Sequence, residues 1–454
     1  MFSSPARCRI TPCKRNICDE SRHLILLFLL LRRSLSTSQR NYNKRLHKLA
    51  YTETTATIRH FCHDIATTNA YLILIRNYDE VIGMTDMAFT PQDAATERLD
   101  DSGVAAKAAR LRRAPDDMAM IRAAAELTRD LNAPNPRIYW TDFLASALVG
   151  YAALAGAILA APLWLQIVSA IVSILALYRA GSFIHEVTHI KHSAVPGFRF
   201  GFNAVIGVPM LVPSYMYEGV HNLHHARTRY GTDQDPEYLP LALMKPWTLP
   251  LFILVSLLAP IALLFRNAVL APLSMLVPAL RKPVVERYSG LVINPAFRRR
   301  PAEGELRRNW IVQEAAASIW AIVLLTGVFT GIIAFSGFLI FLIVASGVAI
   351  LNQVRTLVAH LWENDGEPLN VTAQFLDSVN VPPPALLPAL WAPVGLRYHA
   401  IHHLLPGVPY HNLGEAHARV SAALAPDSAY HRANYTGLPG LVARLAKSTM
   451  VRGA

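Results

Sequence analysis

Long apolar stretches alternate with polar, histidine-bearing segments from residue 139 onward. Residues 139–160 and 163–182 are apolar, and residues 315–335 and 337–358 repeat the arrangement. A helix of about 20 apolar residues spans the hydrocarbon core of a bilayer. The pattern therefore predicts an all-α, multi-pass membrane protein with two transmembrane helix hairpins and a histidine-rich helical cap. The expected turns are at Pro162 and at Ser336-Gly337.

Residues 249–280 are also apolar, but four prolines and Arg266 interrupt them. A single crossing there would leave the histidine-bearing segments on opposite sides of the membrane, so we interpret the segment as an interfacial or re-entrant helical pair. The polar loop before residue 315 is rich in Lys and Arg, whereas the two predicted turns on the other side have none. By the positive-inside rule, the histidine side is cytoplasmic.

Three histidine clusters lie next to these spans. The first contains His185 and His189, which are one helical turn apart, and the other two are His-x-x-His-His phrases beginning at His221 and His399. The full set of box histidines is His185, His189, His221, His224, His225, His399, His402 and His403. Eight imidazoles are too many for one metal, and no Cys follows Cys62 to complete a structural zinc site. The count favours two metals with open coordination positions.

The order His-x-x-x-His, His-x-x-His-His, His-x-x-His-His among membrane helices resembles the three histidine boxes of the membrane fatty acid desaturase and hydroxylase family. The resemblance covers roughly residues 130–420. It implies two non-haem iron ions, O2 as co-substrate and a lipid acyl chain as substrate. The expected reaction is introduction of a double bond, and the alternative is hydroxylation of a lipid or carotenoid-type substrate by the same site.

The family commonly uses one further histidine between the second and third boxes, and His360 occupies that place at the end of the last apolar span. Some members have an asparagine four residues earlier, whereas this chain has Thr356. His192 is a weaker candidate ligand, and His411, His417 and His431 are expected to be structural. Four carboxylates near the histidines could accept their outer ring N–H groups. These are Glu186, Asp233, Asp235 and Glu363.

Two other function classes fit the sequence less well. His185-Glu186-x-x-His189 also fits the zinc protease motif, with Asn364-Asp365-Gly366 as a distant partner, but that hypothesis leaves both His-x-x-His-His phrases unexplained. A transporter is disfavoured because charged residues are not found in the middle of the spans. The sequence also lacks a haem attachment motif, a cluster-type Cys spacing in the core and a dinucleotide loop, so we expect a separate electron donor of the ferredoxin or cytochrome type.

Composition supports a membrane enzyme, since 53% of the residues are hydrophobic and 16% are charged. The net charge of +12 does not indicate nucleic-acid binding, because residues 1–60 contain 12 Lys and Arg against 3 Asp and Glu. Residues 1–83 are expected to be an extension, either a targeting leader or sequence upstream of a start at Met84 or Met87. The remaining predicted boundaries are a soluble segment at 84–130, the membrane domain at 131–420 and a C-terminal tail at 421–454.

Overall fold

The computed structural model describes residues 115–450, with side chains to residue 448. These residues lie within one compact unit of the chain. The predicted extension at 1–83 and most of the predicted soluble segment lie outside the described residues. The described part is helical and contains isolated bridges but no strand, which confirms the all-α prediction.

The α-helices follow one another through the membrane region and the cap. In chain order they are α1 Met118–Leu127, α2 Pro136–Leu159, α3 Leu163–His189, α4 Phe198–Phe202, α5 His221–His224, α6 Thr248–Leu257, α7 Ala259–Phe265, α8 Ala271–Leu276, α9 Pro278–Tyr288, α10 Gly304–Phe329, α11 Phe335–Leu357, α12 Val371–Asp377, α13 Pro388–Trp391, α14 His399–Leu404, α15 Leu413–Ala423 and α16 Leu438–Met450. A π-helical turn at Arg266–Leu270 joins α7 to α8.

Five helical stretches are long and apolar enough to cross a membrane. Four are α2, α3, α10 and α11, and the fifth is Ala259–Leu276, which runs through α7 and α8. The helices α2 and α3 pack closely at Gly150, where a Cβ would lie 2.6 Å from Leu177 Cδ2. Ser173 Oγ donates to the Gly150 carbonyl at the same level. A glycine is therefore needed at this crossing because a side chain would force the two helices apart.

The turn between α10 and α11 differs from the sequence-based expectation. It occupies residues 330–334, where Gly331 has φ 76°, and not Ser336-Gly337. Gly337 lies inside α11, where a Cβ would approach Ile158 of α2 to 3.2 Å. The predicted turn was wrong because a glycine can serve close helix packing as well as a reversal of the chain. The positive φ identifies Gly331 as the residue that allows the reversal.

The apolar segment predicted at 249–280 forms α6 to α9 and begins and ends beside the histidine cap. Phe252 of α6 packs against Trp362 with ring centroids 5.9 Å apart, and Ile293 N, just after α9, donates to the Pro236 carbonyl. Leu264 of α7 shares one apolar cluster with Leu324 of α10. The segment therefore belongs to the same helical bundle as the second pair of spans. Its re-entrant path and the two separate hairpins remain predictions.

Candidate metal centre

The nine predicted histidines converge in two adjoining groups. Within each group, one ring nitrogen of every histidine lies within 4.8 Å of those of the others. The first group has five members, which are His185, His189, His221, His225 and His402. The second has four, which are His224, His360, His399 and His403. Residues as far apart as 185 and 402 thus form a single buried centre.

Helical geometry explains how each His-x-x-His-His phrase serves both groups. At about 3.6 residues per turn, residue i+4 is rotated by about 40° from residue i and residue i+3 by about 60° in the opposite direction, so the two can face different groups. In the second box, His221 and His225 point to the five-histidine group and His224 to the other. In the third box, His399 and His403 point to the four-histidine group and His402 to the other. The second and third boxes therefore each contribute histidines to both groups.

His360 reaches the centre from the chain just beyond α11. A short extended pairing with residues 377–379 fixes its backbone, since Leu361 N donates to the Asp377 carbonyl and Val379 N to the Ala359 carbonyl. Its Nε2 lies 3.0 Å from His399 Nε2. The structure therefore brings together His360 and the third box, as the sequence-based interpretation expected.

Buried carboxylates contact the outer nitrogens of the second box. His224 Nδ1 lies 3.0 and 2.9 Å from the two oxygens of Asp235, and His221 Nδ1 lies 3.0 Å from Glu237 Oε1. Tyr217 OH donates to Glu237 and stacks beside His221. Such contacts fix the ring tautomer and leave Nε2 free to bind a metal.

A second chain of polar contacts holds His360. Tyr230 OH lies 2.8 Å from His360 Nδ1 and donates to Asp377 Oδ2 at 2.8 Å. Ser378 Oγ lies 3.3 Å from the same His360 nitrogen. The hydroxyl groups of Tyr230 and Ser378 therefore contact the outer nitrogen of His360, and the carboxylate of Asp377 contacts Tyr230.

Two of the four carboxylates expected from the sequence contact site histidines. Glu186 lies 3.5 Å from His185 Nδ1, and Asp235 bonds to His224. The side chain of Asp233 is exposed, and Glu363 forms an ion pair with Arg444. The expectation was wrong for Asp233, whose side chain faces solvent, and the ion pair found for Glu363 is with Arg444 instead of a site histidine. Glu237 was missed although it follows Asp235 by two residues.

Three further polar residues at the site carried no sequence signal. Tyr230 contacts His360 across 130 residues of chain, and Asp377 accepts from Tyr230 behind it. Arg355 Nη2 lies 3.1 Å from His399 Nδ1. Their proximity is produced only by the tertiary fold. By contrast, His192 is exposed and lies outside both groups, as does Thr356.

The predicted structural histidines have ordinary packing roles. His417 Nδ1 lies 2.9 Å from Tyr430 OH, and His411 Nε2 accepts from Asn135 N at 3.1 Å. His431 packs beside the ring of Tyr430. None of the three belongs to the two histidine groups among the described residues.

The donor set fits a pair of metal ions. The Nε2 atom of His185 is buried and has no hydrogen-bond partner, which is costly for a polar atom unless another ligand binds it. Among the other histidines of the two groups, four pairs of Nε2 atoms lie 3.0 to 3.2 Å apart. Imidazole is a good ligand for iron, and groups of five and four histidines leave positions open at an octahedral metal.

Burial favours the neutral, metal-binding form of most of these rings. It lowers the pKa of His221, His225, His360, His399, His402 and His403 well below 6.5. His224 is the exception: burial lowers its pKa, but Asp235, Glu237 and Asp377 outweigh burial and the net pKa is raised. Protons should therefore compete with a metal most effectively at His224.

We expect iron binding to fall in two steps as the pH decreases. A raised pKa means that His224 takes up a proton at higher pH than its neighbours, so the four-histidine group should lose its metal first. The five-histidine group should keep its metal below pH 6.5, because burial lowers the pKa of three of its members. Iron per chain after dialysis against buffers of decreasing pH measures this, and simultaneous loss from both groups would contradict it.

Comparison with known proteins agrees with this geometry. The profile of the family described as fatty acid desaturase matches residues 161–435. The chain is 50% identical over 322 residues to a ceramide hydroxylase of Caulobacter vibrioides (strain NA1000 / CB15N), covering 71% of this chain and 92% of the relative. No solved structure matches.

The chain belongs to the fatty acid desaturase family, an assignment that includes lipid hydroxylases such as this relative. The family resemblance seen in the sequence is confirmed. The protein is a membrane-associated oxidoreductase of lipid metabolism, and the zinc protease hypothesis is set aside. Desaturation, the reaction expected first, is not supported, and the hydroxylase alternative fits better.

Proposed function

We propose that this chain is a lipid hydroxylase that acts on a ceramide-type substrate, with two iron ions held by the nine histidines. The observation that carries the proposal is the 50% identity to a ceramide hydroxylase over nearly all of that relative. The two-group histidine centre supplies the physical basis, since its donor set suits iron with open positions. The reaction would be R–H + O2 + 2 electrons + 2 protons → R–OH + H2O.

The chain's own residues would orient the ligands and exclude water. When bound, the irons supply the redox chemistry that reduces O2. Asp235, Glu237 and Tyr230 hold the rings of His224, His221 and His360, so that each Nε2 points inward. All nine histidines are buried or nearly so, which limits wasteful reaction with solvent.

Electrons would come from a separate ferredoxin- or cytochrome-type protein, because the four Cys all precede residue 63. We propose that this donor approaches from the cytoplasm. The support is the Lys and Arg content of residues 281–308, which run from α9 into the first turn of α10. Purified protein given only NAD(P)H and O2 should therefore be inactive.

The test is lipid analysis of a host that accumulates ceramide, with and without this chain, under ¹⁸O2. Hydroxylation predicts a new ceramide species with one additional labelled oxygen, absent from cells expressing His360→Ala at equal level. A product lacking two hydrogens would identify a desaturase. Labelled oxygen in another lipid would leave hydroxylation standing and replace ceramide as the substrate.

A further inference from the structure

A proline-rich loop of the cap carries exposed leucines beside the membrane-spanning helices. We define the proline loop as residues 382–391, which read Pro-Pro-Pro-Ala-Leu-Leu-Pro-Ala-Leu-Trp and include α13. Leu386, Leu387 and Leu390 are 83%, 69% and 50% exposed. Three large apolar side chains on one short loop form an exposed apolar patch, whose contact with water is unfavourable.

A hydrogen bond fixes the depth of this loop. Tyr178 OH donates to the Trp391 carbonyl at 2.9 Å, and both residues are buried. Tyr178 lies in α3, and at about 1.5 Å per residue it stands about 22 Å along the helix from Leu163. A hydrocarbon core about 30 Å thick would thus still surround that level of α3. The end of the loop therefore reaches the depth of the membrane on the histidine side.

Several backbone groups of the loop either lack an N–H or are paired within the protein. Its four prolines have no N–H to satisfy. Arg397 donates to the carbonyls of Val381 and Ala385, at 2.7 and 2.8 Å. The carbonyls of Leu386, Leu387 and Pro388 accept from N–H groups within the loop or just after it. Such pairing lowers the cost of placing this backbone at the membrane interface, with only the leucine side chains directed to the hydrocarbon.

We propose that the proline loop inserts Leu386, Leu387 and Leu390 into the histidine-side leaflet of the bilayer. The occupant of this surface is lipid hydrocarbon, because α13 packs on the membrane helices α3 and α11 and so continues their lipid-facing surface. The loop also adjoins the metal centre. A small cavity is lined by Val381, Trp391 and Arg355, and Arg355 contacts His399. Insertion would hold the leaflet next to the metal centre, and the inference does not depend on the reaction proposed above.

The test measures the depth of single fluorescent labels. The four native Cys are replaced by Ser, and an environment-sensitive dye is attached to Leu387→Cys in the full chain reconstituted in phosphatidylcholine vesicles. Met118→Cys, at an exposed apolar position of α1 in the cap, serves as the aqueous control. Ile343→Cys, exposed in the middle of α11, serves as the membrane control.

At Leu387 we expect strong quenching by lipids that carry a spin label on the acyl chain, and quenching by aqueous iodide several-fold weaker than at Met118. Iodide quenching as strong as at Met118 would overturn the proposal. Shielding from both quenchers would also overturn it, because another protein surface would then cover the loop. Retention of the iron content of the unsubstituted protein shows that the labelled variants are folded.

Discussion

His403→Ala is expected to remove one iron per chain and to reduce hydroxylation to background, whereas His402→Ala should remove activity with a smaller loss of iron. The two neighbours belong to different groups. Without His403, three histidines remain in the four-histidine group, but without His402 four remain in the other. A metal that retains four imidazole ligands should dissociate more slowly than one that retains three.

Iron per chain, measured in detergent after checking membrane insertion, tests this difference. His360→Ala should behave like His403→Ala, since both belong to the smaller group. His192→Ala is the matched control, because that ring is exposed and outside both groups, and it should keep full iron and activity. Equal loss of iron in His402→Ala and His403→Ala would contradict the assignment of five and four ligands. One zinc per chain in the unsubstituted protein would contradict the iron assignment.

Most histidines of the two groups could be proposed as metal ligands from sequence because their spacing is a local property. His185 and His189 are one turn apart, and each His-x-x-His-His phrase places its rings on neighbouring helix faces. Family resemblance added His360, for which spacing gives no support. The division into five and four could not be foreseen, since His402 and His403 are adjacent in sequence and separate only when the boxes pack together.

The apolar spans were also predicted well, but their ends were not. Hydrophobicity locates the middle of a span but not its ends. The helix α3 continues beyond the predicted end at residue 182 to His189, because the buried first box packs against the cap. The position of the turn at Gly331 depends on backbone conformation. The proline loop was not recognised, because a run of prolines and leucines does not reveal which membrane helix it contacts.

Long-range polar contacts were the hardest to predict. Asp377 acts on His360 through Tyr230, and these residues come from three separate parts of the chain. Any acidic residue in a loop is an equally good candidate before the fold is known. Asp235 could be proposed because it follows the second box closely, yet its neighbour Asp233 had the same claim. The difference between these two carboxylates provides a direct test.

Asp235→Asn is expected to weaken iron binding at the four-histidine group about 10- to 100-fold, the usual effect of losing a carboxylate behind a metal-binding histidine. Asp235 is fully buried and accepts from Gly231 N and Glu237 N while also facing His224 Nδ1. An amide would present an N–H2 group to one of these donors. The His224 ring would lose both its orientation and the negative charge that raises its pKa.

The rate at which a chelator removes iron measures the effect without depending on activity. Asp233→Asn is the matched control, because it makes the same chemical change two residues away on an exposed side chain. Faster iron release in Asp235→Asn alone, confined to one iron per chain, would support the role of Asp235 in holding His224. Unchanged release in Asp235→Asn would show that packing alone orients His224. Loss of both irons together would show that Asp235 supports the fold of the whole cap, because a contact with His224 alone affects only the four-histidine group.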